Sequence, residues 1–309
     1  MIFNNKKVAF GRHETFALRY SWLTKGFQEL SKDPQIFTDD NATVKLGVGK
    51  NMVNSIRYWL QAAQITEPVK NGFQATEIGK FIFDEESGFD PYLEDEATIW
   101  LIHWLLASNP TLATSWYLFF NHFHKAEFTS KEVVESLQAF AKENIESRFT
   151  VGTLKKDSDI ILRMYSRSKA SKNQPIEDVL DSPLSLLNLI SHLPNSKSFY
   201  SAPEDRNKVP LAVLGFAIMS IFQQTNVKII PIENLMYKRA DYPALGAIFR
   251  MTESSLLTKL ELLLHYMPNC LEINETAGIN QLHLMSDNIN PIDYLKKHYD
   301  ETMITEVAA

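Results

Sequence analysis

Apolar residues recur at intervals of three and four along residues 97–123, 131–145, 176–193 and 211–223, the spacing that gathers them on one face of a helix. Stretches that alternate every second residue are few and short. The pattern therefore predicts a mainly α-helical protein with small β-hairpins. "FTSKEV" sets Thr129 three residues before Glu132, a capping box that predicts a helix from about residue 130. The run "LAVLGFAIMSIF" (211–222) lies between Pro210 and Gln223 and is too short to span a bilayer, so it predicts a buried helix. No repeat or low-complexity tract interrupts the pattern.

Two segments change the picture, because each reads as two helices, a sharp turn and a hairpin. In the first, residues 39–83, "NATVKLG" leads through Gly47-Val48-Gly49 into a longer helix from Lys50, and Asn71-Gly72 predicts a hairpin beyond it. In the second, residues 242–284, Thr252 to Tyr266 is the long helix and "LEINETAGINQLHL" supplies two strands. Both resemble winged helices. With the turn-rich stretch "NSKSFYSAPEDRNKVP" (195–210) as a boundary, the expectation is an N-terminal winged helix over 1–95, a helical middle over 96–200 and a C-terminal winged-helix-like domain over 201–309.

The two long helices differ in what they offer. In the first, Met52, Ile56, Trp59, Leu60 and Ala63 share the face to be buried, while Lys50, Asn54, Arg57 and Gln61 share the opposite, acid-free face. Such side chains suit phosphates and base edges in a major groove. Lys45 and Asn51 flank them as further candidate DNA contacts. In the second, Leu256, Leu257, Leu260, Leu263 and Leu264 form the apolar stripe, and Ser255, Thr258, Glu261, Leu262 and His265 face outward. That outer face suits a scaffold or a protein contact better than a phosphate.

Charge and cysteine content narrow the partners. The net charge is -6, yet residues 1–70 carry ten Lys/Arg against six Asp/Glu, and residues 146–172 carry seven against three. "DEESGFDPYLEDE" (84–96) holds seven acidic residues and no basic one. Two basic islands on an acidic chain suit local contact with a polyanion. A lone cysteine, Cys270, excludes an internal disulfide and a multi-cysteine zinc site, and fits a reduced, cytoplasmic setting.

Chemistry could reside in three places. "FGRHETFALRYSWLTKGFQEL" (10–30) holds Arg12, His13, Glu14 and Arg19 among aromatics. His13 and Glu14 could serve as base and partner or share a metal; the competing reading anchors a helix through Phe10, Phe16, Leu18, Trp22, Leu23, Phe27 and Leu30, with Arg12 or Arg19 near a phosphate. In "LKKDSDIILRMYSRSK", Asp157 and Asp159 could hold Mg²⁺ or Mn²⁺ beside Lys155, Lys156 and Arg163, or Asp157 or Ser158 could simply cap a helix. His122-Phe123-His124 spells a metal motif of tyrosine nickases, but its setting reads as a helix end and a loop.

"LGVGKNMVNSIRYW", "DPYLEDEATIWLIHW", "WYLFFNHFHKAEFTSKEV", "TLKKDSDIILRMY", "SPLSLLNLI" and "GAIFRMTESSLLTKLE" together resemble one bacterial family. Its members are uncharacterised-domain proteins encoded beside DNA phosphorothioation genes, the B proteins of Ssp-type single-strand systems. The resemblance covers nearly the whole chain. It implies a DNA-binding, strand-nicking part in a DNA modification and phage-defence system. The implied partners are a cysteine desulfurase and an ATP-pyrophosphatase-type sulfur transferase, with no membrane. A different reading of the same modules is a non-enzymatic winged-helix regulator or assembly adaptor. No nuclease signature is legible in the residues themselves.

Overall fold

The structure, a computed structural model, describes residues 2–167, 182–238, 241–286 and 290–307. The chain divides into two compact units, one of residues 4–119 and 125–201, the other of residues 1–3, 120–124 and 202–309. The described chain is about half helical with small antiparallel sheets, so it is mainly α as the apolar spacing predicts.

The first unit opens with α1 (Tyr20–Lys32), a 3₁₀ turn (Ile36–Thr38), α2 (Ala42–Leu46) and α3 (Lys50–Ala62), followed by the hairpin of β1 (Thr66–Val69) and β2 (Gly72–Ala75). Gly47 ends α2 in the left-handed region at φ 59°, where a side chain would be strained, and Gly49 caps α3. The hairpin turns on Lys70 and Asn71, with Gly72 already paired to Val69 as the first residue of β2.

α4 (Glu77–Phe83) leads to α5 (Glu96–Ala107), which is buried at every position from Ala97 to Ala107. A helix apolar all round has to lie inside the unit. The helix expected across 97–123 breaks at Asn109-Pro110 into α5 and α6 (Thr114–His122). There the buried Asn109 side chain accepts from the Thr111 and Leu112 amides and donates to the Ala62 carbonyl, 2.9 Å. α7 (Ser130–Asn144) starts on the expected capping box of Thr129 and Glu132.

α8 (Val151–Tyr165) begins at Thr150, whose hydroxyl accepts from the Thr153 amide. Helix initiation at Asp157 or Ser158 is therefore corrected: both lie inside the helix and are buried. Of the helix expected over 176–193, residues 176–181 lie outside the described residues. The remainder forms a 3₁₀ turn (Pro183–Leu187) and the two-residue strand β4 (Ser191–His192). β4 joins β3 (Glu127–Thr129) and β5 (Ser198–Tyr200) in a sheet of order β3-β5-β4.

The second unit runs α9 (Leu211–Thr225), β6 (Ile229–Pro231), α10 (Ile232–Met236), α11 (Leu245–Ile248), α12 (Glu253–Tyr266), β7 (Leu271–Thr276), β8 (Ile279–Leu284) and α13 (Pro291–Val307). The expected two-stranded hairpin gains β6 as a third strand, giving the order β6-β8-β7. Within α12, Leu256, Leu260 and Leu263 are buried, whereas Leu257 and Leu264 are only half-buried. Ser255, expected outside, is buried together with Lys259. The Lys259 ammonium donates to the carbonyls of Asn207 and Val209, which satisfies its charge without a carboxylate.

Gly215 on α9 packs against the buried Tyr294 ring of α13, where a β-carbon would come within 2.0 Å of the ring. Gly215→Ala is therefore expected to destabilise the protein by about 1–3 kcal/mol, read as a lower urea midpoint.

Candidate nucleic-acid interface

α3 is two-faced. Val53, Ser55, Ile56, Tyr58, Trp59, Leu60 and Ala62 are buried, while Lys50 and Asn51 are exposed and Asn54, Arg57 and Gln61 half-exposed. The five polar candidates of this helix thus share its outer side. Met52, on the apolar side with Ile56 and Trp59, is half-exposed in the first turn of the helix rather than buried. Neither Lys50 nor Arg57 has a carboxylate partner among the described residues, and Gln61 Nε2 donates to the Arg57 carbonyl at 3.2 Å. Lys45 differs: its ammonium is held by Asp39 at 2.6 Å and Asp33 at 3.2 Å, so its charge is already compensated. Those hydrogen bonds raise its pKa.

What orients the helix is the opening stretch. Residues 10–19 precede α1 as a turn-rich strap rather than as part of a helix. Ser55 of α3 donates its hydroxyl to the His13 carbonyl at 3.1 Å, and the Trp59 indole N–H donates to the Phe16 carbonyl at 3.2 Å. The His13 ring lies parallel to Trp59 with centroids 6.2 Å apart, and Trp116 stands edge-on to both.

His13 Nδ1 accepts the Thr15 amide at 3.1 Å, so the ring proton sits on Nε2, which donates to Asp157 Oδ1 at 2.8 Å. Asp157 also accepts from the Gly11 amide (2.8 Å) and from the Ser115 hydroxyl (2.6 Å). The side chains of His13 and Asp157 are each 1% exposed. The first catalytic candidate and the first metal candidate are therefore partners of one another, sealed from solvent.

Glu14 and Asp159, their expected partners, lie elsewhere. Glu14 is exposed, at φ 50°, and its carboxylate is not among the bonds made by the His13 ring. Asp159 is exposed and accepts from Ser130 at 3.1 Å. Residues two apart on a helix point about 200° apart, so Asp157 and Asp159 do not converge on one ion. Among the described residues no group of three or more His, Cys, Asp or Glu is placed to hold a metal.

The basic candidates of α8 form a second surface. Lys155, Lys156 and Arg163 are exposed on the helix, and Arg167, just past its end, is exposed as well. Arg12 is exposed, and the Arg19 guanidinium lies over the Trp22 ring, 5.4 Å from its centroid. Lys169 and Lys172 of the same basic island lie outside the described residues. Arg148, one of the seven basic residues of 146–172, is exposed just before α8, outside any helical period.

His122 and His124 flank the end of α6. Burial, then the nearby Lys238 and His124 charges, push His122 down from 6.5 to about 4, and burial lowers His124 as well. In the same unit the buried Arg250 donates to the Phe123 carbonyl at 2.9 Å, and burial followed by Arg206 brings its pKa to about 9.

The chain belongs to the family described as "Protein of unknown function (DUF4007)", whose pattern matches residues 10–299. Among solved structures, a magnesium ion-bound crystal structure of SspB is similar over 97% of this chain and 89% of its own, with TM-score 0.84 and 28% sequence identity. A second SspB crystal structure has the same identity and coverage and a TM-score of 0.82. No curated protein matches the chain. The resemblance of the sequence motifs and the likeness in structure thus meet on one protein type.

Two outcomes are expected. Asp157→Ala, which leaves the His13 and Ser115 donors unmatched, should cost about 3 kcal/mol of unfolding free energy, measured by denaturant titration. As pH falls from 6.5 towards 4, the unfolded chain takes up a proton that folded His122 refuses, so stability should drop through that window. His122→Gln should flatten the drop, read as the slope of melting temperature against pH.

Proposed function

We propose that this protein is a DNA-binding component of a phosphorothioate modification and phage-defence system, acting in the cytoplasm. Its module of α1, α2, α3 and the β1–β2 hairpin is read as a winged helix with α3 as recognition helix. The observation that carries this reading is the outer face of α3, with Lys50, Asn51, Asn54, Arg57 and Gln61 together and neither cation bound to an acid. Their donors suit phosphates and base edges of a duplex. Arg12, Arg19, Lys155, Lys156 and Arg163 extend the same reading to backbone phosphates; Lys45 would first have to leave Asp33 and Asp39.

The place of this activity in a modification system is supported by the likeness to SspB and by the motifs shared with proteins encoded beside phosphorothioation genes. A cysteine desulfurase and an ATP-pyrophosphatase-type sulfur transferase are the partners this reading assigns. Strand nicking belongs to the same reading, and a neighbour that binds magnesium ion is consistent with Mg²⁺ or Mn²⁺ taking part. Among the described residues no group of three or more His, Cys, Asp or Glu forms a cage for such an ion.

A non-enzymatic regulator or assembly adaptor is the competing reading. The sealing of His13 and Asp157 from solvent favours it, since neither atom pair can reach a phosphodiester without opening the core. The half-exposed Leu262 on α12, on a face without arginine, suits a protein contact in the second unit, itself read as winged-helix-like.

Lys50→Ala and Arg57→Ala are each expected to weaken duplex binding and reduce the slope of log affinity against log salt by about 1. Unchanged slopes in both would remove α3 from the interface. Supercoiled plasmid with Mg²⁺ or Mn²⁺ separates the two readings: open circles from the purified protein identify a nickase, whereas intact plasmid with retained binding identifies an adaptor.

A further inference from the structure

Apart from α3, the first unit carries a cavity of about 210 Å³ between residues 8–12 and the chain entering α8. Its walls are of two kinds. Phe10 and Phe149, with ring centroids 6.2 Å apart and tilted by 56°, give an aromatic side. Arg12 and Arg148 give a cationic one, with the hydroxyls of Ser147, Thr150 and Thr153 beside them. Both arginines are exposed, and neither has a carboxylate partner among the described residues.

The local fold builds this combination. Gly11 stands at φ 67° with Thr153 so close that a β-carbon would come within 2.6 Å of its methyl group. The Gly11 amide is also fixed to Asp157 of α8. The strap is thereby pinned against α8, and Phe10 and Arg12 are held on either side of the pinned residue. Thr150 and Thr153 bond to each other through their hydroxyls at 2.8 Å, which uses one hydroxyl hydrogen of the pair and leaves the other to donate at the cavity wall.

Two unneutralised guanidiniums beside hydroxyl groups suit the oxygens of a phosphoryl group. Aromatic rings next to them suit the flat face of a base, and the pairing of a cationic groove with stacking rings marks proteins that hold single nucleotides of an unpaired strand. The cavity, about 210 Å³ and open to solvent, has room for a phosphoryl group with part of the sugar or base attached to it.

We infer that the cavity seats a single nucleotide, its phosphoryl group on Arg12 and Arg148 and its base or sugar against Phe10 and Phe149. The nucleotide comes from an unpaired DNA strand or from solution as a free monophosphate; the recognising chemistry is the same. This site is separate from the outer face of α3 and stands without the reading of that face.

The test uses the full chain, with fluorescence anisotropy on a labelled single-stranded oligodeoxynucleotide and calorimetry with a deoxynucleoside monophosphate. Arg148→Ala and Phe149→Leu are each expected to weaken binding at least about tenfold. Phe149→Leu keeps an apolar group against Phe10, so its loss of affinity reads the ring rather than misfolding. Binding of oligonucleotide alone assigns the site to a strand, and binding of both ligands assigns it to the nucleotide unit itself. Absence of binding to either, affinity unchanged in both variants, or competition by inorganic phosphate as strong as by the monophosphate would overturn the inference. Duplex binding, read in parallel through Arg57→Ala, keeps its failure distinct from failure of the α3 interface.

Discussion

The bond between His13 and Asp157 is the constraint on which the first unit depends. One residue comes from the strap before α1, the other from the interior of α8, 144 positions later. The histidine serves two ends at once, since its backbone carbonyl accepts from Ser55 of α3 while its ring engages α8. Burial makes the arrangement obligatory. A carboxylate removed from water must find donors, and the Gly11 amide, the His13 ring and the Ser115 hydroxyl supply them. Around this polar knot lie Tyr58, Trp59 and Trp116, large rings that exclude water and leave few other arrangements of the strap.

From that knot outward, the surfaces of the unit acquire their chemistry. Because the inner face of α3 is fixed through Ser55 and Trp59, the opposite face is presented as a rigid row. Because Gly11 is drawn against α8, residues 8–12 form one wall of the cavity with Arg12 and Arg148 on it. His13 and Asp157, candidates for chemistry in the sequence, are thus buried beneath the residues that face solvent and bonded to the segments that carry them. The second unit uses another device. Its buried Arg250 and Lys259 donate to the carbonyls of Phe123, Asn207 and Val209, so loop carbonyls outside any helix or strand are satisfied by side chains.

Much of the architecture is legible in the chain. The capping box at Thr129, the glycines at 47 and 49, and the long apolar runs define α7, the α2–α3 turn, α5 and α9 through local rules of hydrogen bonding and burial. The division of α3 into a buried and a polar face follows from its 3.6-residue period. Misreadings cluster where a local signal competes with a distant partner. Asp157 resembles a helix cap because aspartate favours that position, but α8 already has Thr150, and the carboxylate goes to the interior to meet His13. Ser255 reads as outward-facing along α12, but the packed unit buries it together with Lys259. Lys45, a candidate phosphate contact in the sequence, pairs in the folded chain with Asp33 and Asp39, which the sequence alone does not announce.

By itself, the sequence determined the helical class, the turn glycines, the sidedness of α3 and the family motifs, all of which rest on interactions within a few residues or on composition. Tertiary structure decided which polar groups are available. His13 with Asp157, and Phe10 with Phe149, are separated by well over a hundred residues, and only the packed chain brings each pair together. Availability is a matter of burial and of distant partners, and neither has a period that can be read along a chain.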